Sequence, residues 1–197
     1  MTSPQVSLAA ALLVLAFASP AQADRVDDWF HELKHDGVDY TVFGTICEHL
    51  AVKQLQAEYP ADEYRVTSGI VYKDSGRTLG ELDVIVFRRS DDEAVVIAEV
   101  KCWRNLSSAR RKANEQLSRF TGHMARQTPI QMHDVDDRSV AYEPCQFDEQ
   151  PETLKISQKG GEQYGFDRAL DLTLPQVKDL RIRLMSCQSR GDCNQAP

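Results

Sequence analysis

The chain has 197 residues and a formal net charge of −7, with 23 Lys and Arg against 30 Asp and Glu. This length is sufficient for one domain with a sizeable hydrophobic core. An acidic balance argues against a general polyanion-binding protein. Because no repeat, low-complexity tract or linker divides the chain, we predict a single domain over residues 24–197.

The first 23 residues resemble a leader segment. They contain no charged side chain, and an apolar run from Leu8 to Ala18 precedes the small-x-small sequence Ala21-Gln22-Ala23. This pattern is typical of a secretory signal peptide, and the run is too short for a good membrane span. We therefore predict a signal peptide over 1–23, a periplasmic or secreted protein, and no membrane attachment after the leader is removed.

The next segments predict two helices followed by three strands. Residues 25–35 are predicted to form a short helix that ends at Asp36-Gly37, and residues 41–58 a longer helix that ends before Pro60. Alternating, β-branched segments separated by turn residues predict strands at 64–72, 79–87 and 94–103.

A strongly basic helix is predicted over residues 107–125. Between Lys101 and Arg126 there are seven basic residues and one acidic residue, a local charge of +6. The later segments are less clear: 129–135 and 140–147 could form strands, and 174–185 could form a helix or a strand. The order of elements predicts an α/β fold with helices packed on a sheet.

The chain contains five cysteines, an odd number that leaves at least one unpaired. Export would allow disulfides to form. Cys187 and Cys193 bracket a polar, glycine-containing turn, and we predict a disulfide between them. Cys47 lies in a helical pattern and Cys102 follows a strand, so we predict that both are buried thiols.

The third predicted strand carries two charges on one face, Glu99 and Lys101. If the preceding hairpin turns at Asp91, Asp83 lies opposite Glu99, and such partners are ~5 Å apart at Cβ. Two carboxylates at that separation repel each other unless a cation lies between them. Mg²⁺ is commonly held by one or two carboxylates and substrate phosphates, and the Val100 carbonyl could supply a further ligand.

This arrangement resembles the PD-(D/E)xK nuclease superfamily, in which an Asp and a later Glu-x-Lys lie on neighbouring strands. Three other segments resemble motifs of that superfamily. Gly44 to Glu48 matches its Gly-x3-Glu helix, Gly80 to Asp83 matches its Gly-Glu-Leu-Asp form, and Gln116 to Phe120 partly matches its Gln-x3-Tyr motif. The resemblance implies a restriction-endonuclease-like core, in which a helix, a three-stranded meander, a helix and a strand form a mixed sheet flanked by helices.

The resemblance also implies a function: hydrolysis of phosphodiester bonds with Mg²⁺ or Mn²⁺, with DNA as the favoured substrate and an endonuclease as the favoured type. Asp83, Glu99, the Val100 carbonyl and Glu48 would surround the metal, and Lys101 would orient or activate water. A homodimer is compatible with this interpretation. The residues predicted to contact nucleic acid are Arg104, Arg110, Arg111, Lys112, Gln116 and Arg119.

Two other functions remain open. The first is a catalytically idle module with the same fold that binds nucleic acid or protein. The second is a secreted zinc metalloprotease, because His31 to His35 reads HELKH and could present two zinc ligands and a general base on a helix. The short segment before His31 and the helix stop at Asp36-Gly37 argue against the protease.

Overall fold

The computed structural model describes residues 21–195, and the side chains of residues 25–195. The predicted signal peptide falls mainly on residues 1–20, which lie outside the described part. Within the described part, no helix is both long enough and apolar enough to span a membrane.

Residues 21–195 form an α/β fold with a seven-stranded mixed sheet and four α-helices. In space the strands are ordered β5-β4-β1-β2-β3-β6-β7, and only the β3–β6 and β6–β7 pairs are parallel. The helices are α1 Ala21–Leu33, α2 Phe43–Glu58, α3 Leu106–Ala125 and α4 Leu174–Arg190. The strands are β1 Tyr64–Asp74, β2 Arg77–Arg88, β3 Ala94–Val100, β4 Gln131–Asp134, β5 Ala141–Tyr142, β6 Glu152–Ser157 and β7 Arg168–Ala169.

The helices cover both faces of the sheet and produce two cores. On one face α1, α2 and α4 pack against residues such as Val84 and Ala98 of the central strands. On the other face α3 supplies Leu117 and Phe120 to a core that includes Ile97. The central strands are therefore buried on both sides, which explains their nearly continuous apolar sequences.

The β2–β3 hairpin follows the predicted register. Val84 pairs with Ala98, Ile85 with Ile97 and Val86 with Val96, so each pair of residue numbers adds to 182. A bulge between Val86 and Phe87 shifts the register next to the turn. This ladder ends at the Val84–Ala98 pair, and Asp83 and Glu99 are the next residues beyond it on the two strands.

Several predicted boundaries are wrong. β3 ends at Val100, so Lys101 and Trp103 follow the strand instead of belonging to it. Only Ala141–Tyr142 of the predicted strand 140–147 is extended, and Pro144–Phe147 forms a 3₁₀-helix. Strands β6 and β7 were not predicted.

Residues 174–185, for which the sequence allowed either a helix or a strand, belong to helix α4. It begins at a capping box formed by Thr173 and Gln176, which satisfies free backbone N–H groups. Gly191 ends it in the left-handed conformation at φ 76°, which a glycine adopts without steric cost.

Candidate functional site

The site lies where β2 and β3 diverge. Asp83 and Glu99 directly follow the last pair of the β2–β3 ladder, and their side chains meet at Lys101 Nζ. One Asp83 oxygen, Oδ2, accepts a hydrogen bond of 2.8 Å from the backbone N–H of Val100. The Asp83 side chain therefore takes the place of a backbone acceptor at the end of the hairpin.

Lys101 joins the two carboxylates. Its Nζ donates to Asp83 Oδ2 at 2.5 Å and to Glu99 Oε2 at 3.0 Å. The Glu99 side chain is 0% exposed, that of Asp83 7% and that of Lys101 22%. The predicted convergence of these three residues is therefore observed, in a place almost closed to solvent.

Burial and like charge strongly affect ionisation at this cluster. Burial, together with the charge of Asp83, raises the pKa of Glu99 to about 8, against the opposing effect of Lys101. Burial lowers the pKa of Lys101, but the charges of Asp83 and Glu99 outweigh that effect and the net direction is upward. The arrangement thus favours the charged ammonium form of Lys101 between the carboxyl groups of Asp83 and Glu99.

Glu48 reaches the same site from α2. Its Oε1 lies so close to the backbone of Gly44 that a Cβ there would be 3.1 Å away, so the glycine leaves room for the carboxylate. Burial raises the pKa of Glu48 to about 7, helped by the charge of Asp83 and opposed by Lys101. These interactions place Glu48 electrostatically in the cluster that the sequence predicted.

Glu81 is a member of the site that the sequence analysis did not identify. Burial raises its pKa, as does the charge of Asp83, while Lys101 opposes the increase. The signal was present, because Glu81 and Asp83 are two residues apart on one strand and therefore share a face. The preceding Gly80 is also required, since a Cβ there would lie 2.5 Å from the hydroxyl oxygen of Tyr72.

Asp83 and Glu99 offer carboxylate oxygens, which are the donor type that Mg²⁺ takes. Glu99 Oε1 is buried and has no hydrogen-bond partner, and an unpaired carboxylate oxygen of this kind is unfavourable without a cation or donor. Among the described side chains of residues 25–195, no group of three or more His, Cys, Asp or Glu is arranged to hold a metal ion. Backbone, water or substrate oxygens would therefore complete the coordination, as is usual for Mg²⁺.

A cavity of about 560 Å³ opens beside the cluster. Its lining includes the acidic Glu48, the site residue Lys101, the exposed Trp103, and two basic residues of α3, Arg111 and Lys112. Arg111 is 75% exposed and pairs only loosely with Glu115, at 3.7 Å.

The other residues predicted to contact nucleic acid are more dispersed. Arg119 donates to the Leu79 carbonyl at 3.1 Å, and the Arg110 side chain packs against Gly165. Arg104 is exposed next to Trp103. Gln116 has a buried amide oxygen without a partner but does not line the cavity. Only Arg111 and Lys112 of the predicted set therefore lie at the cavity itself.

The prediction of two buried thiols at Cys47 and Cys102 is wrong, because these residues form a disulfide. Cys47 immediately precedes Glu48, and Cys102 immediately follows Lys101, so the bond joins α2 to the segment after β3 beside the site. Sequence alone could not show that two residues 55 positions apart meet. The predicted disulfide between Cys187 and Cys193 is confirmed, and Cys145 is free.

The segment after β3 is held in place by the end of β6. Ser157 Oγ donates to the Lys101 carbonyl at 2.7 Å. The Gln158 side chain both accepts from the Trp103 N–H at 3.1 Å and donates to the Trp103 carbonyl at 2.9 Å. Ser157 and Gln158 are almost fully buried, so they are further supporting residues that sequence reasoning missed.

The HELKH segment does not have the geometry of a zinc site. Helix α1 ends at Leu33, so His35 lies in the following turn and the two histidines are not on one helical face. His35 also lies close to the C-terminal segment, where its carbonyl accepts from the Asn194 amide. The structure therefore provides no support for the metalloprotease alternative.

Comparison with known family models, characterised proteins and solved structures gave no match to this chain.

Proposed function

We propose that the chain is a nuclease that hydrolyses phosphodiester bonds of DNA with the help of Mg²⁺ or Mn²⁺. The observation that carries the proposal is the cluster of Asp83, Glu99 and Lys101, in which one buried oxygen of Glu99 has no partner. Buried charged clusters with perturbed pKa values occur preferentially at functional sites.

The topology also supports the proposal. Helix α2, the meander β1–β2–β3, helix α3 and strand β6 follow one another along the chain, and β6 pairs in parallel with β3. This is the order that a restriction-endonuclease-like core requires. The remaining strands β4 and β5 extend one edge of the sheet, and β7 extends the other.

In this proposal Asp83 and Glu99 hold the cation, with Glu48 close enough to influence it electrostatically. When bound, the cation would neutralise charge on the phosphate and favour a nucleophilic water. Lys101 would orient the water and stabilise the additional negative charge as the new P–O bond forms and the ester P–O bond breaks. Arg111 and Lys112 would hold the flanking phosphates.

One observation favours the idle binding module instead. Lys101 already bridges both carboxylates, and a buried salt bridge of this kind can be purely structural. The two functions differ in their response to metal, since the idle module would bind nucleic acid equally with or without a divalent cation.

The deciding experiment is plasmid nicking by the purified chain with Mg²⁺, Mn²⁺, Zn²⁺ or EDTA. We expect nicking with Mg²⁺ or Mn²⁺ that is lost with EDTA and in Asp83→Asn and Glu99→Gln. Glu162→Gln, which changes an exposed carboxylate elsewhere, is the matched control and should nick normally. Nicking that persists in both site variants would refute the assignment of the site.

A further inference from the structure

Trp103 is an exposed aromatic residue on a rigid backbone. The side chain is exposed, with 60% of the residue accessible to solvent. The backbone N–H and the backbone carbonyl of Trp103 are nevertheless both hydrogen-bonded to the buried side chain of Gln158. Ser157 additionally holds the carbonyl of Lys101, two residues earlier. Large aromatic residues are usually buried, so an indole that is exposed on a fixed support is arranged for a ligand instead of for the core.

The surroundings of Trp103 define the chemistry of that ligand. Val42, which is 67% exposed, and Phe43 add apolar surface to the same cavity. Arg111 and Lys112 line it as well, and Lys112 has no carboxylate partner within residues 21–195. The cavity therefore combines a flat aromatic surface, apolar neighbours and cationic groups beside the carboxylate cluster.

From this arrangement we infer that Trp103 is a stacking platform for an unpaired nucleobase, whose phosphates contact Arg111 and Lys112. A base has a flat π-face and an adjoining phosphate, which match the two kinds of surface. A base inside a duplex is stacked on its neighbours and cannot offer that face. The inference rests on the proposed function and specifies its substrate as single-stranded nucleic acid, or a single-stranded end or gap.

The cavity volume agrees with this occupant. About 560 Å³ falls in the range of small-ligand sites, ~300–1,000 Å³, which leaves room for one nucleotide. The position of Trp103 two residues after Lys101 would place the stacked base next to the phosphate to be cleaved.

The first test follows Trp103 itself by fluorescence, in EDTA so that nothing is cleaved. The chain has two tryptophans, and Trp29→Phe leaves Trp103 as the only one. We expect a single-stranded oligothymidine to quench its fluorescence, whereas an abasic strand of equal length, which has the same phosphates but no bases, should not. Equal quenching by both strands, or none by either, would overturn the inference.

The second test measures affinity in variants of the otherwise unmodified chain. Trp103→Ala should weaken binding of the single strand by roughly 5- to 150-fold, the range expected for one lost base–aromatic stack, and Trp103→Phe should restore most of it. Duplex and abasic-strand affinities should change less than about twofold in Trp103→Ala. Tyr164→Ala, which removes another exposed aromatic residue outside the cavity, is the control.

The outcomes separate this inference from the proposed function. Metal-dependent nicking combined with unchanged single-strand affinity in Trp103→Ala refutes the stacking platform alone. Trp103-dependent, base-dependent binding, with neither plasmid nicking nor cleavage of the single-stranded oligothymidine at any metal ion, refutes hydrolysis and supports the platform. If Trp103→Ala does not fold, the fluorescence of Trp103 in Trp29→Phe, compared between the oligothymidine and the abasic strand, provides the decision.

Discussion

Replacing Glu99 with Gln should alter how the stability of the metal-free protein depends on pH. Glu99 is fully buried and lies beside Asp83. Its carboxyl group therefore ionises at higher pH in the folded chain than in the unfolded chain. A group whose folded pKa is raised contributes stability that is present below its unfolded pKa and is lost as the pH rises through its folded pKa.

The size of the effect follows from the two pKa values. The pKa rises from 4.5 to about 8 on folding, and each pKa unit corresponds to ~1.4 kcal/mol, which sets an upper limit of ~5 kcal/mol. Relaxation and water penetration reduce such figures, so we expect about 2–4 kcal/mol. Glutamine keeps the shape and an acceptor for Lys101 but never ionises, so the variant should avoid this loss.

The assay is urea unfolding of wild type and Glu99→Gln in EDTA between about pH 5 and pH 9. The variant should be nearly as stable as wild type at the acidic end and more stable at the alkaline end. Taking the difference between the two proteins removes the contributions of titrating groups that do not interact with Glu99, and leaves those of Glu99 and of its neighbours Asp83 and Lys101. Glu162→Gln is the control, and a Glu99→Gln difference that does not change with pH would refute the reasoning.

The remaining predictions concern the surroundings of the cluster. Replacing both Cys47 and Cys102 with Ala should lower the free energy of unfolding in urea by ~4 kcal/mol, because this disulfide closes a loop of 55 residues. Replacing Cys187 and Cys193 with Ala should lower it by only ~2 kcal/mol, because that loop has 6 residues. Equal losses would contradict the loop-closure argument. Lys101→Ala should abolish nicking. Calorimetry should show that this variant binds Mn²⁺ at least as tightly as wild type, because a positive charge near the cation has been removed. A variant that unfolds would instead identify a structural ion bridge. Changing Arg111 and Lys112 together to Ala should reduce the salt dependence of duplex binding by up to ~0.9 log unit per lost contact, and an unchanged slope would show a solvated helix face. Replacing both histidines of the HELKH segment with Ala should leave metal content and nicking unchanged, and stoichiometric zinc that disappears in the variant would contradict this.

The parts of the fold that were predictable are those determined by local pattern. The register of the β2–β3 hairpin follows from alternation and a short turn, so Asp83, Glu99 and Lys101 could be placed together from sequence. The Gly44-x3-Glu48 spacing could be noticed as well, although only the structure shows that Gly44 gives space to the Glu48 carboxylate.

The parts that were missed depend on distant pairing. Strand β6 has charged residues at Glu152 and Lys155, and it pairs in parallel with β3 after more than fifty intervening residues, so no local turn predicts it. For the same reason Ser157 and Gln158 could not be recognised as supports of Trp103. The disulfide partner of Cys47 depends on the packing of α2 against the sheet, which the sequence does not specify.

The Cys47–Cys102 bridge has a consequence for where such a site can exist. It ties the residue before Glu48 to the residue after Lys101, so helix α2 and the segment that follows β3 are covalently joined only when both thiols are oxidised. Cytosolic thiols are kept reduced, whereas exported proteins meet oxidants. In the exported nuclease that we propose, the site would therefore be completed only after the chain has left the compartment that holds the genome.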